Sequence, residues 1–302
     1  MVVEKAIHDT LSYFDVFSYA VTEQELWRFL HLRKREVTLV RFRNALLKLS
    51  QKGFIEMFKG YYVLTGNRQL VNKRLRRKII SDNKLPTAYK TVWILSFIPT
   101  AWLIGISGSL ASNNSELEDD IDLFIITAPR TVWVTRFLTT LVLDLFGLRR
   151  KPFADKFKDK ICLNMFIGYN CLELSSRDRN IFTAHEICHL KPLLNRHCAY
   201  EQLLEKNQWV RTLLPHALKQ LPLPSHVPSM GLFILFQIIE PWVMRVQLWY
   251  MRRRRSNEVV REHIIRFHPH DARTWVLKQY ARRLRQNTAK FSSALDKKRN
   301  DQ

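Results

Sequence analysis

The chain has few cysteines and no long, uninterrupted apolar segment. Its four cysteines are Cys162, Cys171, Cys188 and Cys198, and no two of them form a Cys-x-x-Cys pair. We therefore expect reduced core thiols in a cytoplasmic protein rather than a disulfide framework. The N-terminus lacks the charged-then-apolar pattern of a signal peptide.

Two apolar stretches are candidates for membrane spans. Residues 91–106 are too few to span a bilayer and include Pro99. Residues 231–251 are longer but contain polar and helix-disrupting residues, namely Gln237, Glu240, Pro241, Arg245 and Gln247. A lipid-facing helix tolerates such residues poorly, so we expect two core elements and no transmembrane segment. Because the second stretch runs into Arg252–Arg255, contact with a membrane surface stays an alternative.

Acidic residues are scarce relative to basic ones. The 302 residues include 49 Lys and Arg against 27 Asp and Glu, a formal net charge of +22. Residues 1–90 carry 18 basic and 8 acidic groups, and residues 252–302 carry 15 and 5. Such ends attract nucleic acid, nucleotides or an anionic membrane surface, although simple solubility also explains them. The length and the 46% apolar content allow two or three domains with a sizeable core.

The most informative motif is a Gly-Ser turn followed by two spaced carboxylates. Gly108-Ser109 follows an apolar strand, and Asp120 and Asp122 open a second apolar strand ten residues later. Because strand side chains alternate, the two carboxylates point the same way, about 7 Å apart along the backbone. Hard oxygen ligands of this kind suit Mg²⁺ or Mn²⁺.

The turn itself can supply phosphate contacts. Gly108 lets the backbone approach a ligand closely, and Ser109 offers an amide and a hydroxyl at the start of a helix. Arg136 on the next predicted helix is a further candidate phosphate contact, or pairs with a surface acid. The neighbouring acids (Glu116, Glu118 and Asp119) indicate a bound cation or partners among the basic residues elsewhere in the chain.

This pattern resembles the nucleotidyltransferases of the DNA polymerase β superfamily, in which Gly-Ser, roughly ten residues and Asp-x-Asp follow one another. The resemblance covers about residues 100–175. It implies Mg²⁺-dependent transfer of a nucleoside monophosphate from an NTP, with Asp120 and Asp122 as catalytic metal ligands and Gly108 and Ser109 at the nucleotide. The alternative is a strand entry with solvated acids.

The chain departs from the superfamily pattern at its third carboxylate. The corresponding strand carries Asn164, and an amide cannot act as a general base. Four alternatives follow. The two carboxylates suffice for activity, the substrate supplies the base, Glu173 supplies it, or the activity is lost. A nucleic-acid-binding or regulatory protein with an impaired nucleotide pocket is therefore the second hypothesis.

The pattern of elements predicts an α+β fold with a small mixed sheet. We expect a winged-helix-like domain at 1–66, a basic helical connector at 67–98 with a solvated basic face, the nucleotidyltransferase core at 99–175, including a hairpin at 160–175, and a helical domain with a basic tail at 176–302. Winged-helix domains place their third helix in a DNA groove, although the same fold also serves protein contact or substrate clamping. The candidate DNA contacts are Arg33, Lys34, Arg35, Arg41, Arg43, Asn44, Lys48 and Lys52.

Two histidine-rich segments offer further chemistry. His185-Glu186-Ile187-Cys188-His189 matches the zinc protease pattern, but Pro192 soon ends the helix, so we favour a helix that packs on the sheet. His268 and His270 could bind a substrate, although a loop role is favoured, and Asp271 is predicted to cap the last helix.

Overall fold

The computed structural model describes residues 2–32, 37–151, 157–218, 233–252, 259–261, 264–266 and 272–300. Within them the chain is a mixed α and β protein with one three-stranded and one six-stranded sheet. The predicted DNA contacts Arg33, Lys34 and Arg35 lie outside the described residues, as do His268, His270 and the predicted cap Asp271.

The N-terminal unit alternates short helices and strands. Its elements are α1 (Val2–Val16), β1 (Val21–Thr22), α2 (Glu23–Arg28), α3 (Leu39–Gln51), β2 (Ile55–Phe58) and β3 (Tyr61–Leu64), with the strands in the order β1-β3-β2. The predicted capping box is confirmed, because Thr22 accepts from the Glu25 amide and the Glu25 carboxylate accepts from the Thr22 amide. The β2–β3 turn places Lys59 and Gly60 at positive φ, which favours glycine.

A long helix, α4 (Gln69–Leu95), connects this unit to the larger sheet. The prediction that its basic face is solvated is wrong for Arg74 and Arg77, and a third basic residue of the helix, Lys84, is buried as well. Arg74 pairs with Glu25, and Arg77 pairs with Glu116. Buried cations require such partners. These pairs therefore join α4 to the N-terminal unit and to residues 112–120, which we call the acidic loop.

The six-stranded sheet holds the candidate site. Its strands are β4 (Ala101–Ile106), β5 (Ile121–Thr127), β6 (Ile161–Gly168), β7 (Lys191–Asn195), β8 (Val259–Arg261) and β9 (Ile264–Arg266), in the order β7-β4-β5-β6-β9-β8. The β5–β6 pair is parallel and the other pairs are antiparallel. The predicted 160–175 hairpin is wrong, because β6 pairs with β9 instead. The sheet therefore takes strands from both sides of residue 175.

Helices cover both faces of this sheet. They are α5 (Gly108–Ala111), α6 (Val132–Leu145), α7 (Ile181–His189), α8 (Ala199–Lys206), α9 (Ile234–Arg252) and α10 (Ala272–Asn300). Phe124 faces the core that includes α1, α7 and α10, whereas Leu123 and Ile125 face the core beneath α4, α6 and α9. Among the described residues, no helix combines the length and apolar character needed to cross a bilayer.

Candidate functional site

The Gly108 turn lies against the carboxylate of Asp122. Gly108 has a φ of +65°, and a Cβ at this position would collide with Asp122 Oδ2. The preceding residue, Ser107, donates its amide to the Asp122 carbonyl at 3.0 Å. Glycine is thus required twice, by the left-handed backbone and by the close approach of the carboxylate.

The structure brings Asp120 and Asp122 together. One carboxylate oxygen of each and the Cys162 sulfur all lie within 4.8 Å of one another, and this is the one such group of three found among the described residues. Cys162 joins the carboxylates because it is the register partner of Asp122 in the parallel β5–β6 pair. The arrangement is a compact, negatively charged cluster beside the turn.

Burial and the neighbouring Asp120 raise the pKa of Asp122 to about 7. The same two causes apply at Cys162, where burial and the adjacent carboxylates raise the thiol pKa far above its usual range. Cys162 therefore stays protonated and donates to Asp122. A protonated thiol is a poor ligand for a hard cation, so the two carboxylates are the available donors.

The arginine at this cluster is Arg150 rather than Arg136. Arg150 donates to Asp120 Oδ2 at 2.7 Å, with its own side chain 40% exposed. Arg136 instead donates to Gln247 of α9. Asp122 lies at the start of β5, whereas α6 begins after the other end of that strand, so the structure does not bring Arg136 to the cluster.

Asn164 lies close to the turn through an irregularity in β6. The β5–β6 register passes from Leu123–Leu163 to Phe124–Met165, which leaves Asn164 as an extra residue. Bulges of this kind redirect a side chain. Asn164 donates to Ser107 Oγ at 3.2 Å, while its buried Oδ1 has no hydrogen-bond partner. This oxygen is a potential neutral ligand.

The rest of the acidic loop is held by the protein itself. Ser109 donates its hydroxyl to Asp119 at 2.9 Å, and Asp119 also accepts from the Glu116 amide at 2.9 Å. A Ser109 hydroxyl contact with a phosphate would therefore require this bond to break. Glu116 pairs with Arg77, as described above, so only Asp120 and Asp122 of the predicted acidic group form the cluster.

A second unusual carboxyl group lies on α7. Burial raises the pKa of Glu186 to about 7, and its charge helps to raise the pKa of Asp122. The helix leads into β7, where Lys191 pairs with Ile106, so α7 ends near the Gly108 turn. The alternative base Glu173 is instead exposed and paired with Arg179 at 2.6 Å.

The histidines around Glu186 make protein contacts. The Nε2 atom of His185 lies 3.0 Å from His31 Nε2, and His189 donates its Nδ1 to the His185 carbonyl at 2.9 Å. Burial lowers the pKa of His31 to about 3 and that of His189 to about 4. In the described part of the chain no third acidic, cysteine or histidine ligand completes a metal group here, which favours the packing role over zinc.

No protein-family model, curated protein or solved structure matches this chain. The interpretation of the site therefore depends on the geometry of its residues. Sequence reasoning missed Cys162, Arg150 and Glu186, because strand register and helix packing bring them to the motif. Two local signals pointed towards Cys162. Strand alternation fixes the side of its strand to which Asp122 points, and residues 161–167 have the composition of a strand.

Proposed function

We propose that this protein is a divalent-cation-dependent nucleotidyltransferase that moves a nucleoside monophosphate from an NTP to an acceptor hydroxyl. The observation that carries the proposal is the carboxylate pair, Asp120 and Asp122, within 4.8 Å beside a glycine turn at positive φ. The resemblance to the DNA polymerase β superfamily supports the same activity.

The donor set fits Mg²⁺ or Mn²⁺. Asp120 and Asp122 supply hard oxygens, and the unpartnered Oδ1 of Asn164 can supply a third. The pKa of Asp122 is raised first by burial and then by the negative charges of Asp120 and Glu186, which the neighbouring Arg150 only partly offsets. When bound, the cation would neutralise this charge and polarise the phosphate under attack.

The chain's own residues supply the remaining functions. Gly108 lets the triphosphate approach the backbone, and Arg150 and Lys191 offer positive charge near the turn. The acceptor oxygen forms a bond to the α-phosphorus, and pyrophosphate leaves with the electron pair of the broken bond. The group assigned to accept the hydroxyl proton is the Glu186 carboxylate. It lies on α7 near the turn, its charge acts on Asp122, and its own pKa of about 7 suits a general base.

The test is pyrophosphate release with each NTP and Mg²⁺. Replacing both carboxylates (Asp120→Asn with Asp122→Asn) should lower the rate by on the order of a thousandfold, because the cation loses both charged ligands. Asp144→Asn is the matched control, since Asp144 pairs with Arg149 at the surface. An unchanged rate in the double variant would remove the proposal.

A second candidate function is nucleic-acid binding through the N-terminal unit. The order of its helices and strands fits a winged helix. The exposed side of α3 carries Arg41, Asn44 and Lys48, and Lys52 caps its C-terminal end. Phosphate contacts predict a steep loss of affinity for duplex DNA as salt rises. A flat salt response, or no binding at low salt, counts against this function.

A further inference from the structure

The helix α9 packs both polar and apolar side chains against the protein and leaves large apolar side chains on its outer side. Gln237 donates to the Pro129 carbonyl at 3.1 Å, and Gln247 donates to the Trp133 carbonyl at 2.8 Å. Glu240 accepts from the amides of Trp133 and Val134, each at 2.8 Å. In the sequence, these polar residues favoured a core helix over a lipid-facing one. In the structure they bind the protein on one side of α9, and the other side of the helix is exposed.

The outer side of α9 carries large exposed apolar residues at helical spacing. They are Leu235, Ile238, Ile239, Trp242, Val246, Trp249 and Tyr250, with both tryptophans 66% exposed. The prediction that 231–251 is entirely a core element is therefore wrong. A soluble surface helix normally has the opposite pattern.

Two neighbouring helices repeat this exposure. The C-terminal half of α4, with α6 and α9, covers one core on the same face of the six-stranded sheet. Further exposed apolar residues lie on α4 and α6 or just after their C-terminal ends, namely Tyr89, Trp93, Phe97, Phe137, Leu141, Leu145 and Phe146. We call these residues and those of α9 the outer helical face. Exposed apolar surface on this scale marks an interaction site.

The charges beside the outer helical face are mainly positive. The Arg245 guanidinium lies 5.1 Å from the Trp242 ring, and Lys90 is exposed beside Tyr89. Asp144 is paired with Arg149, and Glu240 is turned inward. The sequence continues from α9 into Arg253, Arg254 and Arg255, which lie outside the described residues.

We propose that the outer helical face binds the surface of an anionic phospholipid bilayer. Tryptophan, tyrosine and arginine together match the interface between headgroups and acyl chains, and basic groups beside an amphipathic helix attract anionic lipid. Because the inner side of α9 is bonded to α6, the helix can meet lipid only from its outer side. A second copy fits less well, since it would bring two similarly basic faces together.

Vesicle flotation of the full chain tests this proposal. The vesicles contain phosphatidylcholine alone or equal parts of phosphatidylcholine and phosphatidylglycerol. The wild type should float with the anionic vesicles and much less with the neutral ones. Trp242→Ser with Trp249→Ser should weaken the association at least about tenfold, because binding scales with buried apolar area.

The matched control is Val40→Ser with Leu47→Ser, which removes two comparably exposed apolar side chains from α3. It should float like the wild type. Thermal melting of both variants establishes that they are folded. The proposal is overturned if the wild type does not float with anionic vesicles, or if the folded tryptophan variant floats unchanged. A dimer in light scattering that the tryptophan variant disrupts, without flotation of the wild type, would assign the face to a second copy instead.

Discussion

Asp122→Asn is expected to stabilise the cation-free protein at about pH 8 while it removes the proposed activity. The folded-state pKa of Asp122 is about 7, against an ordinary value of 3.8. Between these values the folded state holds a proton that the unfolded state has lost, so the stability of the wild type falls as pH rises from about 4 to about 7. An amide avoids this ionisation.

The free energy of unfolding should rise by on the order of 2 kcal/mol at about pH 8. This is less than the full shift of the Asp122 pKa implies, because Asp122 keeps some solvent contact. The gain should shrink as pH falls towards 4 and vanish below it, where Asp122 is protonated in both states. Adding Mn²⁺ should raise the melting temperature of the wild type and not that of the variant. Thermal melts at several pH values check all three results.

Asp144→Asn is again the control and should show no such pH-dependent gain. If Asp122→Asn is less stable than the wild type at every pH, Asp122 is held by favourable partners in the folded protein. The electrostatic argument that the cluster carries uncompensated negative charge, and therefore binds a cation, would then fail.

The second large effect concerns the pH dependence of cation binding. A cation binds the ionised form of Asp122, whose pKa is about 7. When the pH is below this pKa, binding must first release a proton from Asp122. The affinity for Mn²⁺ should therefore rise by about tenfold per pH unit up to about pH 7 and then level off. Electron paramagnetic resonance measures free Mn²⁺ directly in such a titration.

Asp122→Asn should bind Mn²⁺ weakly at every pH and without this rise. Glu186→Gln provides a separate comparison, since it removes one neighbouring negative charge and should move the plateau to lower pH. Equal wild-type affinity at about pH 5 and about pH 8 would show that binding deprotonates no group with a pKa near 7. It would contradict the combination of a raised pKa and a ligand role at Asp122.

The local part of the site could be predicted from sequence. Strand alternation placed Asp120 and Asp122 on one side of β5, and the turn chemistry of Gly108 follows from the lack of a Cβ. Thr22 and Glu25 likewise identified the start of α2, because a capping box depends on residues three positions apart. These signals are short-range, and the backbone fixes their geometry.

The remainder depends on long-range pairing. Cys162 reaches Asp122 only through parallel register, and the irregularity at Asn164 is invisible in the sequence. The hairpin prediction failed because β6 pairs with a strand about a hundred residues later. Arg74 and Arg77 looked solvated because their acidic partners lie in other elements.

The sidedness of α9 could not be assigned from its composition. Its polar residues were weighed as obstacles to lipid contact, but Gln237, Glu240 and Gln247 are bonded to α6 or the segment before it. Which side of a helix faces the protein depends on the partner that its polar groups find. A mixed composition therefore favours neither a core nor a surface location.

The most direct test of the central claim is anomalous diffraction from crystals grown with Mn²⁺ and a non-hydrolysable ATP analogue. The account predicts a manganese peak between the carboxylates of Asp120 and Asp122 and a triphosphate bound at Gly108. Arg150 should have left Asp120 and should contact the triphosphate. A nucleotide bound elsewhere, or Asp120 still paired with Arg150 and no manganese at the cluster, would contradict it.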